Sequence, residues 1–285
     1  MNNKTKLILI LILASFLLYT YNFIYRIFSP PHLEVHFIDV GQGDSTLIIA
    51  DDGKTMLIDS GLDVMSDRLI GYISNLNIKK IDYLIATHAD ADHIGAMDKI
   101  VDYFDIGYFS MPIFQSNSIE YKELADSLSK KNIKLTPIQR KDSFTMDNLK
   151  FTVLNPDGNN LSSDTNSQSI VLKMDYGNVS MMFMGDAGIA IEDEILSAFP
   201  NIKADVLKLG HHGSSTSSSE YFVKRIAPKF AVISCGIDNK YNHPSQIVLN
   251  VIKKHNIGYF RTDKQGSIVL KVHNSKISSN VKPIY

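Results

Sequence analysis

The chain has 285 residues, of which 44% are hydrophobic and 21% are charged, a composition typical of a folded protein and not of a disordered one. Lysine and arginine total 29 against 30 aspartates and glutamates, so the net charge of −1 provides no overall attraction to nucleic acid or an anionic membrane. The single cysteine, Cys235, excludes an intrachain disulfide framework and a cysteine-built zinc site. Any metal must therefore be held by histidine, carboxylate or backbone oxygen.

The first thirty residues are predicted to form a membrane segment. The uncharged stretch 7–25 would nearly cross a hydrocarbon core of about 30 Å as a helix. Lys4 and Lys6 precede this stretch and Arg26 follows it, which favours a cytoplasmic N-terminus and an extracytoplasmic main domain. The alternative is a signal peptide whose cleavage releases a secreted protein, but no small-x-small cleavage pattern follows the apolar core.

The remainder of the chain shows no repeat, linker or second shift in composition. We therefore expect a membrane anchor at residues 1–28, a short spacer at 29–32 and one domain at 33–285. From apolar runs, turn residues and helical periodicity, strands are predicted at 33–40, 46–50, 55–58, 81–86, 106–110, 134–138, 149–154, 170–175, 179–184, 204–209, 230–235, 258–261 and 267–272. Helices are predicted at 64–76, 95–103, 117–131, 190–199, 218–226 and 244–255. Strands with interspersed helices indicate a layered α/β fold.

The segment 87–93, Thr-His-Ala-Asp-Ala-Asp-His, contains two histidines and two carboxylates directly after a predicted strand. Imidazole nitrogen and carboxylate oxygen are ligands of zinc, manganese and iron, and a short loop can direct several of them to one point. An ordinary polar turn has no need for paired imidazoles. The segment therefore predicts a metal site.

Further candidate ligands follow other predicted strands, where loops leave one edge of a sheet. Asp59 follows the strand at 55–58, Asp186 follows 179–184, and His211 and His212 follow 204–209. We expect these side chains to lie near the segment 87–93.

These motifs, in this order, resemble the metallo-β-lactamase superfamily. The segments 37–44, 166–172 and 239–244 are similar to the hydrolase domain of ComEC-type competence DNA-uptake proteins. The resemblance runs from about Leu33 to near the C-terminus and implies an αββα sandwich with two divalent metal ions, zinc or manganese, at one edge.

The sequence departs from the usual superfamily loop His-x-His-x-Asp-His at Asp90, which stands where the second histidine is expected. A carboxylate there raises the odds of manganese relative to zinc. No histidine occurs between His93 and His211, so one of the His211–His212 pair is expected to supply the missing ligand. The resemblance implies one site of His88, Asp90 and His211 or His212, a second of Asp92, His93 and His243, and Asp186 as the bridge.

For several other residues the sequence leaves more than one role open. Asp59 is expected to orient the metal loop from outside the ligand set, and His243 is either a ligand or a hydrogen-bonding neighbour. Asp39 and Asp44 belong either to a loop near the site or to a plain turn. The serine-rich run from Ser214 onward either caps a helix or receives a phosphate. Asn166, Ser214, Asn239 and Tyr241 are candidate contacts to the metal ligands or to substrate.

The expected chemistry is hydrolysis by a metal-activated water, with Asp92 combining ligation with proton handling and His212 as a proton donor if it is not a ligand. The resemblance favours a phosphodiester substrate, of which single-stranded DNA is one. Two alternatives are a hydrolase of a small phosphoester or phosphocholine-like envelope group, and a metal-binding accessory module without turnover.

Overall fold

The N-terminal unit is one long helix. The structure is a computed structural model that describes residues 3–28, 32–113, 116–158 and 164–285, and it divides into two compact units, residues 1–32 and 33–285. Helix α1 (Asn3–Phe28) contains an apolar stretch, Lys4–Tyr21, that is long enough to cross a membrane, a test that signal sequences also pass. Residues 29–31 of the expected spacer lie outside the described residues.

The second unit contains all the strands that the structure describes. The strands are β1 (Leu33–Phe37), β2 (Thr46–Ile49), β3 (Thr55–Ile58), β4 (Lys80–Ile85), β5 (Asp105–Ser110), β6 (Ser143–Met146), β7 (Leu149–Asn155), β8 (Val171–Tyr176), β9 (Val179–Phe183), β10 (Val206–Lys208), β11 (Phe230–Ile233), β12 (Gly258–Arg261), β13 (Ile268–His273) and β14 (Lys276–Ser279). The helices are α2 (Ser66–Asn75), α3 (Ala91–Ile94), α4 (Met97–Tyr103), α5 (Ile119–Lys130), α6 (Ile189–Ala198), α7 (Glu220–Ile226), α8 (Gln246–Lys254) and α9 (Thr262–Gln265). Short 3-10 turns lie at Asp63–Met65, Asn166–Gln168 and His211–Gly213.

The strands form two seven-stranded sheets, ordered β14-β13-β1-β2-β3-β4-β5 and β12-β11-β10-β9-β8-β7-β6. The core between them includes Phe37 from the first sheet and Phe183 from the second, whose ring centroids are 6.3 Å apart. Burial of one such side chain contributes roughly 1.5–3 kcal/mol. Helices α2, α4 and α5 cover the outer face of the first sheet, and α6, α7 and α8 cover that of the second. This helix–sheet–sheet–helix layering confirms the predicted αββα sandwich.

Three edge regions differ from the sequence prediction. Residues 134–138 form no strand and make one isolated bridge, between Leu135 and Phe109, and Pro137 offers no N–H for a sheet ladder. Strands β6 and β14 were not predicted, because these four-residue edge strands are partly exposed and lack a clear apolar pattern.

Parallel strands determine where the loops meet. Strands β3, β4 and β5 run parallel in the first sheet, and β9, β10, β11 and β12 run parallel in the second. Their carboxyl ends release loops at a shared edge, where the Ile170 N–H from the second sheet donates to the Thr87 carbonyl of the first at 2.9 Å. All the candidate ligands lie in the segments that follow these strands, with Asp92 and His93 in the short helix α3.

Candidate metal centre

Asp59 holds the metal loop in place from the end of β3. Its carboxylate is buried and accepts hydrogen bonds from the Thr87 N–H and hydroxyl, each at 2.7 Å. The Oδ2 atom also accepts from Nδ1 of His93 at 2.8 Å. These contacts place Asp59 against the metal loop, at Thr87 and His93.

These hydrogen bonds determine which nitrogen of each imidazole faces the cluster. The Thr87 hydroxyl donates its hydrogen bond to Asp59, so the hydroxyl oxygen of Thr87 accepts a hydrogen bond from Nδ1 of His88 at 3.0 Å. His93 donates through Nδ1 to Asp59. Both rings therefore turn Nε2 toward the cluster, which is the arrangement that metal-binding imidazoles adopt when a second partner fixes Nδ1.

The loop after β10 delivers two more imidazoles through an unusual backbone. His211, His212 and Gly213 all have positive φ angles, at 47°, 54° and 79°, and such conformations in non-glycine residues concentrate at functional sites. His212 is buried, donates through Nδ1 to the Ser234 carbonyl at 3.0 Å and places Nε2 3.2 Å from Oδ2 of Asp92. His211 is more exposed, and its Nδ1 lies 3.3 Å from the Thr216 hydroxyl.

Asp186 lies at the centre of these rings. Its backbone N–H donates to the Ser169 hydroxyl at 3.1 Å. This hydrogen bond fixes the position of Asp186 in the loop that follows β9. Its Oδ1 lies 3.2 Å from Nε2 of His93, and its Oδ2 lies 3.7 Å from Nε2 of both His211 and His212. His88 is 3.9 Å from the same Oδ2. One buried carboxylate thus faces four imidazole nitrogens.

The donor set fits divalent metal ions. Nε2 of His88, His93 and His212 and Oδ1 of Asp186 are buried and have no hydrogen-bond partner among the described residues. Two ligands of one tetrahedral ion with bonds of about 2.1 Å are about 3.4 Å apart, close to the separations of 3.2–3.9 Å between these nitrogens and Asp186. Divalent cations held in this cluster would satisfy these buried atoms, and groups of such atoms within 4.8 Å of one another recur across the cluster.

In the metal-free cluster, the neighbouring carboxylates raise the pKa values of two histidines. Burial acts to lower the pKa of His212, but the charges of Asp186 and Asp44 outweigh it and raise the pKa to about 10. Burial is likewise outweighed at His93, where Asp186 and Asp59 raise the pKa well above its ordinary value. A metal must therefore displace a proton from each ring, so binding weakens as the pH falls.

Burial acts in the opposite direction on the central carboxylates, whose pKa values it tends to raise. Despite burial, His93 and His212 lower the pKa of Asp186 well below its ordinary value. The hydrogen bond from His212, with the charge of His93, similarly lowers the pKa of Asp92. Both carboxylates are thus anionic at neutral pH, as metal ligands must be.

Two further predicted ligands lie at the periphery. Asp90 is 42% exposed, with Oδ2 3.7 Å from Nε2 of His88. His243 packs beside the pair after β10, with ring centroids 5.5 Å from His211 and 6.3 Å from His212, and its Nδ1 is buried without a hydrogen-bond partner among the described residues. Burial, with the charges of the other two histidines, lowers the pKa of His243.

The loop 236–243 presents an aromatic side chain beside the cluster. The Asn239 side chain donates to the carbonyls of Gly236 and His243 at 2.9 and 2.7 Å and accepts from the His243 N–H at 2.9 Å. The Tyr241 ring stacks on His243 at 5.7 Å with an interplanar angle of 22°, and the Lys240 ammonium lies 5.0 Å from the Tyr241 centroid. Asn239 therefore braces the loop, while half-exposed Tyr241 faces solvent.

The serine-rich run is built for capping. The Ser219 hydroxyl accepts from the Phe222 N–H at the start of α7, and the buried Glu192 carboxylate accepts from the N–H groups of Ser218 and Ser219. These donors are therefore not free for a phosphate. Ser214 accepts from the Thr216 N–H at 3.2 Å and closes the turn after the histidines.

Asn166 is in the 3-10 turn that precedes Ser169, and its Oδ1 is buried without a hydrogen-bond partner among the described residues. Its neighbour Ser169 is the residue that reaches Asp186.

Sequence reasoning did not identify several residues of the cluster. Lys208 is buried and ion-paired with Asp44, which lies at the cluster and not in a plain turn. A lysine inside an apolar strand was an available signal, because lysine is almost never buried unless it is paired. Thr87 and Ser234 act through a hydroxyl and a carbonyl, for which the sequence carries no signal.

Residues 38–237, more than half of the chain, match the metallo-beta-lactamase superfamily. The chain belongs to this superfamily. Its members are typically metal-dependent hydrolases, and the family expected from the sequence motifs is confirmed.

The chain is similar to longer curated proteins, one of which is named as a competence protein. ComE operon protein 3 of Bacillus subtilis is 35% identical over 269 residues, which cover 88% of this chain and 34% of that protein. Competence protein ComA of Neisseria gonorrhoeae is 30% identical over 235 residues, which cover 81% of this chain and 31% of that protein. The chain thus spans about a third of the length of these relatives.

A solved structure shows the same fold. The metallo-beta-lactamase fold protein YhfI from Bacillus subtilis superposes with a TM-score of 0.58 at 14% identity, over 85% of this chain and 100% of that one. At this identity the likeness concerns the fold alone.

We predict that Asp59→Asn weakens the affinity of the metal-free protein for Mn²⁺ by about 10- to 100-fold, a range typical for partners of metal ligands. Asparagine has an NH2 group in place of one carboxylate oxygen, and that group cannot accept a hydrogen bond. The variant therefore cannot accept all three of the hydrogen bonds that hold Thr87 and His93. Isothermal titration calorimetry measures the change. The control is Asp205→Asn. Asp205 directly precedes β10, and its carboxylate accepts a hydrogen bond from the Ser180 N–H in β9. This variant should leave the affinity unaltered. Equal affinities for both variants would contradict the role given to Asp59.

Proposed function

We propose that the protein is a membrane-anchored phosphodiesterase that uses two divalent metal ions, manganese or zinc. The observation that carries the proposal is the convergence of three buried, unpartnered imidazole nitrogens on the Asp186 carboxylate. Asp90 adds an oxygen ligand where the superfamily usually has an imidazole, which supports manganese.

The distances support a division of the ligands into two groups that share Asp186. The second group, Asp92, His93 and His212, has ligand atoms within 4.8 Å of one another. The first group is proposed to be His88, Asp90 and His211, because Asp90 is 3.7 Å from His88 and because His88 and His211 both face Oδ2 of Asp186, at 3.9 and 3.7 Å. The sequence left His211 and His212 as alternatives for the first group. Nε2 of His212 is 3.2 Å from Asp92, which favours the second group for His212 and the first for His211. His243 then contacts both from outside.

When bound, two divalent ions lower the pKa of a water molecule and neutralise charge on a phosphoryl oxygen. The protein's own residues supply orientation and proton handling. Asp92 is anionic and partly exposed, so it can accept a hydrogen bond from the attacking water in addition to ligating.

The proposed substrate is single-stranded DNA. One relative carries the name of a competence protein, and the loop beside the cluster offers a half-exposed tyrosine next to a lysine. Aromatic rings that stack on bases, together with cations for phosphates, are the elements by which proteins hold single strands without reading sequence. A net charge of −1 requires such local binding.

Helix α1 is proposed to anchor the hydrolase domain at the extracytoplasmic face. Lys4 and Lys6 precede the uncharged stretch 7–25, and excess positive charge marks the cytoplasmic side. A tag placed after Tyr285 should be digested by protease added to intact cells. Protection of the tag until the cells are lysed would reverse the orientation.

We predict that the full chain in detergent, loaded with Mn²⁺, cleaves a single-stranded oligonucleotide and that EDTA abolishes cleavage. Asp186→Asn should lower kcat by at least about 100-fold, because it weakens the carboxylate shared by both ligand groups. Gel analysis of the products measures the rate, and Asp205→Asn is again the control. Bound metal without cleavage of any diester would instead identify an accessory module.

The same assay tests the substrate class through Tyr241. Tyr241→Ala should raise KM for the oligonucleotide by about 10-fold, since stacking on one base contributes roughly 1–3 kcal/mol. Tyr241→Phe keeps the ring and should behave as the wild type. Cleavage of bis(p-nitrophenyl) phosphate without cleavage of DNA would replace this substrate with a small phosphoester.

A further inference from the structure

Lys208 is a buried lysine next to the candidate metal centre. It ends strand β10, in the middle of the second sheet, and is only 3% exposed. Val206, two residues earlier, belongs to the core between the sheets, as does Phe183, the partner of Lys208 in β9. The alternation of a strand therefore directs the lysine side chain into the space between the two sheets.

Its ammonium reaches across that space to Asp44. The loop that carries Asp44 connects β1 and β2 of the first sheet, and Lys208 donates to Oδ2 of Asp44 and, at 3.2 Å, to the Leu209 carbonyl. The pair thus joins the two sheets directly beneath the loops that meet at the cluster.

The other oxygen of Asp44 faces the cluster. Oδ1 is buried, has no hydrogen-bond partner among the described residues and lies 3.5 Å from Nδ1 of His212. The same nitrogen donates to the Ser234 carbonyl, so the His212 N–H lies between a carbonyl and a carboxylate. The Asp44 N–H also donates to the Asp92 carbonyl at 3.1 Å, which ties this loop to the metal loop.

Fold stability does not account for such a pair. Burying two charges costs several kcal/mol per ion, and apolar residues of similar volume are often as stabilising or more so. The ammonium of Lys208 contacts one oxygen of the Asp44 carboxylate, and the other oxygen lies 3.5 Å from an imidazole of the cluster.

We propose that Lys208 is a positioning residue for the metal centre, an inference that rests on the proposed function. Its ammonium fixes the Asp44 carboxylate, and Asp44 in turn fixes the His212 ring. Nε2 of His212 is thereby kept directed at Asp92 and Asp186. Because its charge is met by Lys208, Asp44 acts from outside the ligand set, as outer partners of metal-bound imidazoles do.

The test compares Lys208→Met with the double variant Lys208→Met/Asp44→Asn in the full chain, with Mn²⁺ alone as the probe. Calorimetry gives the metal affinity and thermal unfolding of the metal-free protein gives Tm. The single variant leaves a buried anion unpaired, so both Tm and affinity should fall, the affinity by about 10- to 100-fold. The double variant removes both charges. Its Tm should recover to near the wild-type value while its affinity stays at least about 10-fold weaker.

The matched control is Lys173→Met/Asp175→Asn, which removes another lysine–aspartate pair of the second sheet, in β8. It should leave the Mn²⁺ affinity unchanged. A double variant at Lys208 and Asp44 that binds Mn²⁺ within twofold of the wild type would overturn the proposal, as would unchanged affinity in Lys208→Met. If the single variant does not fold, the double variant still decides the question. A wild type that binds Mn²⁺ with this dependence yet cleaves no diester would refute the proposed function and leave the positioning role standing.

Discussion

The buried carboxylate of Asp186 is the charge around which the shared edge of the two sheets is arranged. Four imidazoles face it, and its nearest imidazole nitrogen is 3.2 Å away. Without a metal, its negative charge and those of its neighbours are balanced by protons on His93 and His212. With a metal, the same separations match those of ligands that share an ion. The cluster is therefore organised to exchange protons for cations.

Residues behind the ligands make this arrangement possible. Asp59, Ser234 and Thr87 each accept a hydrogen bond from Nδ1 of one imidazole, in His93, His212 and His88 respectively. Nε2 of each ring is therefore left facing the cluster. The backbone contributes through positive φ angles at Asp59, His211 and His212, each of which costs on the order of 1–3 kcal/mol. The core between two seven-stranded sheets sustains that strain.

The sequence pattern pointed to most of the side chains that the structure brings together around Asp186, and to fewer of the residues that hold them in place. His88, Asp92 and His93 occur within one short segment whose chemistry has no ordinary structural use, and Asp186 follows a clear apolar strand, so local pattern was sufficient. Lys208 differs, because its role depends on a carboxylate 164 residues away that only the packing of two sheets brings near. The edge strands β6 and β14 were missed for a related reason. Their pairing comes from neighbouring strands and not from their own residues.

The central claim is that two divalent ions lie on either side of Asp186. Anomalous diffraction from crystals of the manganese-loaded protein, collected near the manganese absorption edge, tests it most directly. The account predicts two peaks in each chain, one among His88, Asp90 and His211 and the other among Asp92, His93 and His212, with Asp186 between them. A single peak, or peaks away from Asp186, would contradict it.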